Sequence, residues 1–323
     1  MRLRRSDLGK PGYSRRRAGK GFSYRDTDGS ALTDEAEVER VKKLVIPPAW
    51  KDVWISPDPR GHIQATGIDA AGRKQYRYHD DWRTARDEKK FDHALEVAER
   101  LPEIREKLCG DLTSERGLTK ARVLAAVVRL LDMGMFRIGS DQYAVREDDP
   151  SFGLSTLRPE HVRTKGECVL LEFTGKSGVH HSGTVGDGEV CQVLKDLKRR
   201  RRGEQRLFAY YDKPARRWRD LHADEINEYL RQVSGEKMTA KDFRTWHGTV
   251  KAAEALAEAG PQPTEAKRKK AVSHAMKEVA ELLGNTPTVA RASYVDPRVI
   301  EAYEEGEVVD SPDEQAVREL LTD

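Results

Sequence analysis

The apolar residues of this chain change their spacing near residue 84, and that change divides the sequence into two differently built parts. Before it, short runs alternate with turn signals. Val53-Trp54-Ile55-Ser56 is followed by Pro57-Asp58-Pro59-Arg60-Gly61, a strong turn cluster, and then by a second run, His62-Ile63-Gln64-Ala65-Thr66. Asp69-Ala70-Ala71-Gly72 makes another turn before Lys74-Gln75-Tyr76-Arg77-Tyr78. These runs predict a β meander, in whose last strand Tyr76 and Tyr78 share one face and Gln75 and Arg77 the other. After residue 84 the period becomes helical, with Phe91, Leu95, Ala98 and Leu101 ahead of Pro102, and Val123, Val127, Leu130 and Leu131 after Thr119. One interruption, Val169–Phe173 and Val179–Gly183 around Thr174-Gly175-Lys176-Ser177-Gly178, predicts a β-hairpin. Helical patterns resume at 187–201, 222–233, 240–258 and 264–283, the last two parted by Gly260-Pro261-Gln262-Pro263. The expected fold is therefore α+β, with a small β-rich N-terminal domain (1–83) and a larger, mainly α-helical domain (84–323) carrying a short β-hairpin. The acidic tail at 297–323 is expected to be peripheral, without a binding role.

Charge narrows the possible partners. The net charge is only +3, yet residues 1–25 hold nine Arg or Lys against one acid, and residues 296–323 hold ten acids against two arginines. A further basic run contains Lys195, Lys198, Arg199, Arg200, Arg201 and Arg202. Such clusters neutralise phosphates and release counterions, so either nucleic acid binding or a solvated basic face accounts for them. No run of apolar residues approaches a membrane span, and no apolar secretion signal follows the basic start. Cys109, Cys168 and Cys191 are scattered without a metal-binding pattern, as in a reducing compartment. The expectation is a cytoplasmic protein without membrane association, metal or cofactor.

Phosphodiester transfer without a metal needs a nucleophile, cations for the charged transition state, and an acid for the departing oxygen. Arginine suits the second task through its planar, permanently charged fork, and lysine the third through a tunable pKa. Tyrosine can attack if held in line and helped to lose its proton. Residues of these types recur here in short motifs: Phe136-Arg137-Ile138-Gly139, Gly153-Leu154-Ser155-Thr156-Leu157-Arg158, Phe173-Thr174-Gly175-Lys176, Lys241-Asp242-Phe243-Arg244-Thr245-Trp246 and Ser293-Tyr294-Val295-Asp296-Pro297. Ahead of them stand Ile46-Pro47-Pro48-Ala49-Trp50, Gly61-His62-Ile63-Gln64-Ala65-Thr66-Gly67 and Gly72-Arg73-Lys74-Gln75-Tyr76. In this order, over nearly the whole chain, the sequence resembles the poxvirus-like type IB DNA topoisomerases, including their bacterial members.

The resemblance implies an ATP-independent DNA topoisomerase acting on duplex DNA as a monomer, at the nucleoid of a bacterial cytoplasm. Tyr294 would attack a backbone phosphate and leave a DNA 3′-phosphotyrosyl bond. Arg137 and Arg244 would clamp the non-bridging oxygens, and Lys176 would protonate the 5′ oxygen. Asn285 stands where viral members carry a histidine; it can donate a hydrogen bond to phosphate but cannot act as a cation. Lys74, Gln75, Tyr76 and Tyr78 match DNA-contacting positions, with Arg73 and Lys74 as backbone contacts. The two domains would close around duplex DNA as a C-shaped clamp.

Ordinary structural roles compete at each position. Arg137 could favour a helix dipole, Lys176 could be a solvated turn residue, and Gly284-Asn285 could simply stop a helix. Tyr78 could cover the β domain's own core. Phe243, Trp246 or His247, and Val250 mark the core stripe of one helix, which points Arg244 either to solvent or to a ligand, and Thr239 and Asp242 look like its capping pair. A tyrosine recombinase shares the chemistry, but its second-arginine motif is His-x-x-Arg, whereas Lys241 stands in the histidine position here. An inactive DNA-binding protein is a third reading, which strand cleavage would exclude.

Overall fold

The computed structural model describes residues 2–322 except 20, 115, 135, 146–149, 201–205 and 236–237, together with the side chain of 177. Arg201 and Arg202 of the basic run therefore lie outside the described residues. The chain divides into two compact units, Met1–Lys90 and Phe91–Asp323.

The first unit contains β1 (Tyr13–Ala18), β2 (Gly21–Arg25), α1 (Glu35–Lys43), β3 (Lys51–Ile55), β4 (Ile63–Ile68) and β5 (Lys74–Tyr78). Its strands form one antiparallel sheet in the order β2-β1-β3-β4-β5. The meander expected from the sequence is β3 to β5. The turn before β5 closes through Asp69, which accepts from the backbone N–H of Gly72 at 3.0 Å, with Gly72 at a φ of 75° that favours glycine. Tyr13, Val41, Ile46, Val53, Ile55 and Ala65 form the core.

β1 and β2 are additions to that expectation, built from the basic N-terminal stretch. Arg15 explains why a charged run folds here: its guanidinium lies 4.0 Å from the centre of the Phe22 ring and donates to the carbonyls of Ile46, Pro47 and Trp50 at 2.8, 2.8 and 3.0 Å. The Ile46–Trp50 motif is thus held by a cation 31 or more residues earlier. Trp50 in turn covers Gly67, where a Cβ would come within 2.9 Å of the indole.

The second unit begins within α2 (Asp80–Thr113) and continues with α3 (Lys120–Asp132), the short α4 (Asp141–Ala144), β6 (Val162–Lys165), β7 (Cys168–Thr174) and β8 (His180–Val185). Then follow α5 (Gly188–Arg199), β9 (Ala209–Asp212), β10 (Arg217–Asp220), α6 (Ala223–Ser234), α7 (Ala240–Ala259), α8 (Glu265–Leu283), α9 (Pro287–Ser293), α10 (Pro297–Glu305) and α11 (Glu314–Thr322). The expected hairpin is β7–β8, joined by β6 into a small antiparallel sheet. α3 is buried along nearly its whole length and starts at Thr119, whose hydroxyl accepts from the Arg122 amide. α7 starts with the expected pairing of Thr239 and Asp242, whose Oδ2 accepts from the Thr239 amide at 2.7 Å.

α2 runs through Pro102, because Leu101, Ile104, Leu108 and Leu112 all bury apolar area in the same core and outweigh the lost hydrogen bond. One expectation is corrected. The acidic tail is not peripheral. Val299, Ile300, Tyr303, Val309, Val317 and Leu321 lie in the main core, and the Tyr303 hydroxyl donates to the Gly260 carbonyl at 2.9 Å. Its acids sit between these apolar positions, which is the pattern of amphipathic helices.

Candidate active site

Arg244 is the centre of the site, and it is buried rather than solvent-facing, with 3% of its surface exposed. α7 meets α3, α8, α10 and α11, so its residues are covered on nearly every side and no solvent face is available at this turn. The guanidinium is fixed by donating to the carbonyls of Gly134, at 3.1 Å, and Leu283, at 2.6 Å. It lies 5.2 Å from the centre of the Tyr294 ring. Burial and the neighbouring Arg137 charge pull its pKa down to about 10, which leaves it a cation at neutral pH.

Tyr294 stands at the C-terminal end of α9, its amide donating to the Ala290 carbonyl at 3.0 Å. Its backbone is pressed against α7, where a Cβ on Gly248 would meet the Tyr294 carbonyl at 2.8 Å. Thr249 links the next two positions: its Oγ1 donates to the Tyr294 carbonyl at 3.3 Å and accepts from the Asp296 amide at 3.1 Å. Burial pushes the phenol pKa up, but the guanidiniums of Arg244 and Arg137 and the ammonium of Lys241 outweigh it, so the net shift is downward.

Arg137 reaches the same cluster from the irregular segment after α3. The segment is held by Leu154, whose amide donates to the Arg137 carbonyl at 2.9 Å, and by Ser155, whose amide donates to Ile138 at 2.7 Å. Gly139 and Gly153 allow this approach; a Cβ on Gly153 would lie 2.5 Å from the Gly139 Cα. Two motifs separate in sequence are therefore one structural joint. The Arg137 Nη2 donates to Asn285 Oδ1 at 2.9 Å.

At Asn285 the backbone and the side chain make separate contacts. Gly284, in the left-handed region, ends α8, and the Asn285 amide donates back to Ala280 at 2.9 Å, a backbone arrangement that needs no side-chain cap. The side chain is thereby left to Arg137. Because guanidinium only donates, Oδ1 faces it, and the buried Nδ2 has no hydrogen-bond partner among the described residues. A buried donor without an acceptor costs about 1–3 kcal/mol, so a site presenting one is suited to an incoming anionic oxygen.

Lys176 is exposed in a single 3-10 turn at the tip of β7–β8. The hairpin reaches the other groups through His181, a residue the sequence reading passed over. The far edge of its ring lies between two glycines: a Cβ on Gly175 would be 2.5 Å from its Cδ2, and one on Gly284 would be 2.6 Å from its Cε1. Its inward position follows from the alternation of β8, which was visible in the sequence.

In the first unit, Lys74, Tyr76 and Tyr78 share the exposed face of β5. Tyr76 and Tyr78 stack with ring centres 6.0 Å apart, and Lys74 lies 5.9 Å from the Tyr76 ring centre. At 41% and 37% exposure the two tyrosines do not serve as core cover. Gln75 is on the opposite face, where its amide and the Arg73 guanidinium both donate to Asp69 at 2.9 Å.

Residues 79–315 match the family model described as the eukaryotic DNA topoisomerase I catalytic core, and residues 21–69 match that of the bacterial DNA topoisomerase IB N-terminal domain. The chain belongs to the type IB DNA topoisomerases. The mimivirus DNA topoisomerase 1B (Acanthamoeba polyphaga mimivirus) is 29% identical over 299 residues, covering 91% of this chain and 88% of the relative. The DNA topoisomerase I of monkeypox virus and the DNA topoisomerase 1B of vaccinia virus (strain Copenhagen) are each 23% identical over 271 residues, covering 79% of this chain and 77% of theirs. The enzyme class read from the motifs, a DNA isomerase of the poxvirus-like kind, is therefore established for this chain. No helix among the described residues of this topoisomerase is long and apolar enough to cross a membrane.

A charged network behind the site was also missed. Asp132, at the end of α3, receives Arg105 at 2.8 and 2.9 Å, Arg129 at 2.8 Å and His247 at 3.3 Å; Arg105 also pairs with Glu314 of α11 at 2.8 Å. Burial pushes the Asp132 pKa up, but His247 and Arg105 reverse this and hold it far below the usual carboxylate range. His247 packs on Gly134, the residue whose carbonyl fixes Arg244. Only residue types, not pairings 27 to 209 positions apart, are visible in a sequence.

Proposed function

We propose that this topoisomerase relaxes supercoiled duplex DNA by transient cleavage of one strand through Tyr294, without ATP or a metal ion. The supporting observation is the buried Arg244 guanidinium held over the Tyr294 ring, with Arg137 and Asn285 joined beside it. Tyr294 gives its proton to solvent water and its phenolate oxygen attacks phosphorus. The new bond is the 3′-phosphotyrosyl ester; the bond that breaks is P–O5′. Arg137 and Arg244 neutralise the non-bridging oxygens as charge builds, supported by the Asn285 amide. Lys176 gives a proton to the departing 5′ oxygen. Resealing is the reverse: the 5′-hydroxyl attacks phosphorus, its proton returns to Lys176, and the tyrosine oxygen leaves and takes a proton back from solvent water. The ester conserves the energy of the broken bond, so resealing needs no nucleotide.

Between the two steps the duplex beyond the break rotates about the intact strand, driven by superhelical strain of either sign. One tyrosine cuts one strand, so a monomer suffices. Lys74, Tyr76 and Tyr78 bind DNA from the exposed face of β5. Incubating the purified protein with positively or negatively supercoiled plasmid, EDTA and no ATP tests the reading. Relaxation of both by the wild type and neither by Tyr294→Phe is expected. A requirement for metal or ATP, or equal relaxation by Tyr294→Phe, overturns it.

A further inference from the structure

His181 has no task in the chemistry above, yet the site is shaped around it. We propose that its ring is a spacer that fixes the Lys176 hairpin against the Gly284–Asn285 turn, setting the reach of the lysine to the 5′ oxygen. This rests on the reading of Lys176 as proton donor.

Three observations carry the inference. First, a side chain on either flanking glycine would collide with the ring. Gly175 has a φ of −97°, which any residue can adopt, so its missing side chain is not explained by the backbone; a Cβ there would collide with Cδ2 and Nε2 of His181 at 2.5 and 2.6 Å. On the other side a Cβ on Gly284 would meet Cε1 at 2.6 Å and Nε2 at 3.1 Å. One of these glycines immediately precedes Lys176 and the other immediately precedes Asn285.

Second, the ring continues an aromatic row. Phe136, the neighbour of Arg137, lies 6.0 Å from Phe173, and Phe173 stacks on His181 at 5.2 Å with 22° between planes. The three segments bearing Arg137, Lys176 and Asn285 are thus spaced by one line of rings. Third, Lys176 is itself exposed, so its position depends on how the hairpin is anchored. The tip end of β7 is tied by the Phe152 amide, which donates to the Thr174 carbonyl at 2.8 Å, and Gly175 rests on the ring. Burial, then the charges of Arg137, Arg244 and His180, hold the imidazole pKa down to about 4. A neutral ring fills the gap without adding a third cation beside the guanidiniums.

The test is single-turnover cleavage of a duplex with one mapped site, carrying either the ordinary phosphodiester or a sulfur in place of the bridging 5′ oxygen. A thiolate departs without a proton, so a defect in proton delivery disappears on the sulfur substrate. Lys176→Ala, slow on oxygen and restored on sulfur, confirms the underlying reading. His181→Ala should be slower by about 10- to 100-fold on oxygen, as small displacements at a reacting centre cost, and largely restored on sulfur. If Lys176→Ala is restored and His181→Ala stays equally slow on both, the spacer role is overturned while the donor assignment stands. If Lys176→Ala is not restored, the donor assignment falls and the proposal with it. Gly175→Ala supplies a variant that leaves His181 in place: its methyl should displace the ring and slow cleavage of the oxygen substrate. On the His181→Ala background the same methyl should have no further effect, because the space is empty. A Gly175→Ala enzyme as fast as wild type refutes the proposal.

Discussion

Arg244 and the exposed face of β5 both present cationic and aromatic groups, but they are built in opposite ways. Arg244 is buried and fixed by two carbonyls from separate segments, with Tyr294 against it. Lys74, Tyr76 and Tyr78 stand in the open and touch chiefly one another. A charge that must meet a transition state gains from being immobile before the reaction, because no reorganisation is then needed. A surface that grips a long polyanion gains from accessible groups, each adding a little. Under the proposed function, the comparison therefore separates rate from affinity.

Its strongest test is Arg244→Ala. Cleavage at saturating DNA should fall by about 100- to 1000-fold, as removal of transition-state donors does elsewhere. Stability should fall as well, by about 1–3 kcal/mol, since the carbonyls of Gly134 and Leu283 lose their donor; urea or thermal denaturation measures this. Arg244→Lys should not rescue the rate, because one ammonium cannot reproduce a planar fork reaching both carbonyls. Arg137→Ala should slow cleavage by ~100-fold with little loss of stability, because this half-buried arginine spends its side-chain bond on Asn285. Equal stability losses in the two arginine variants would break the distinction. Asn285→Ala should cost about 10-fold in rate, the scale of one hydrogen bond, and nothing in helix ending, which the backbone of Gly284-Asn285 provides.

Acid offers a further contrast. His181 ordinarily titrates at 6.5 but in the folded protein only at about 4, so the unfolded chain takes up its proton first. Its contribution to stability is full above pH 6.5 and is lost as pH falls from there toward 4. Thermal denaturation of His181→Phe should show a flatter pH dependence across that window than the wild type. Smallest are the effects on β5. Tyr76→Ala and Tyr78→Ala should weaken DNA binding several-fold, and Lys74→Ala should reduce the slope of log affinity against log salt by about 0.9, the value for one phosphate contact. Any of these three that slowed cleavage at saturating DNA would end the separation of rate from affinity.

The sequence carried the two-part fold and the hairpin because apolar period is a local property. It carried the five candidate site residues only through their order in a family pattern. Burial of Arg244 was not legible: the stripe of Phe243, Trp246 and Val250 describes one face, while α7 is covered on several by helices distant in the chain. β1 was hidden for the same reason, since the arginines that read as a charged arm are partly consumed by Arg15 holding Ile46–Trp50. His181 could have been found from the alternation of β8 and the unexplained glycine before Lys176, but its meaning required Gly284, more than a hundred residues later.

Thr249 gives the proposed covalent state a mechanical meaning. While a strand hangs from Tyr294 by an ester, twisting DNA pulls directly on the polypeptide at that residue. Tyr294 is not at a loose end: Thr249 ties the chain on both sides of Val295 to the middle of α7, Asp296 caps α10 and holds Arg298 at 2.7 Å, and Glu314 moors α11 to Arg105. Torque entering at the phenolic oxygen is thereby passed into α7, which packs against α3, α8, α10 and α11. The broken ends can turn, while the tyrosine that must give its phosphate back stays where the returning hydroxyl will find it.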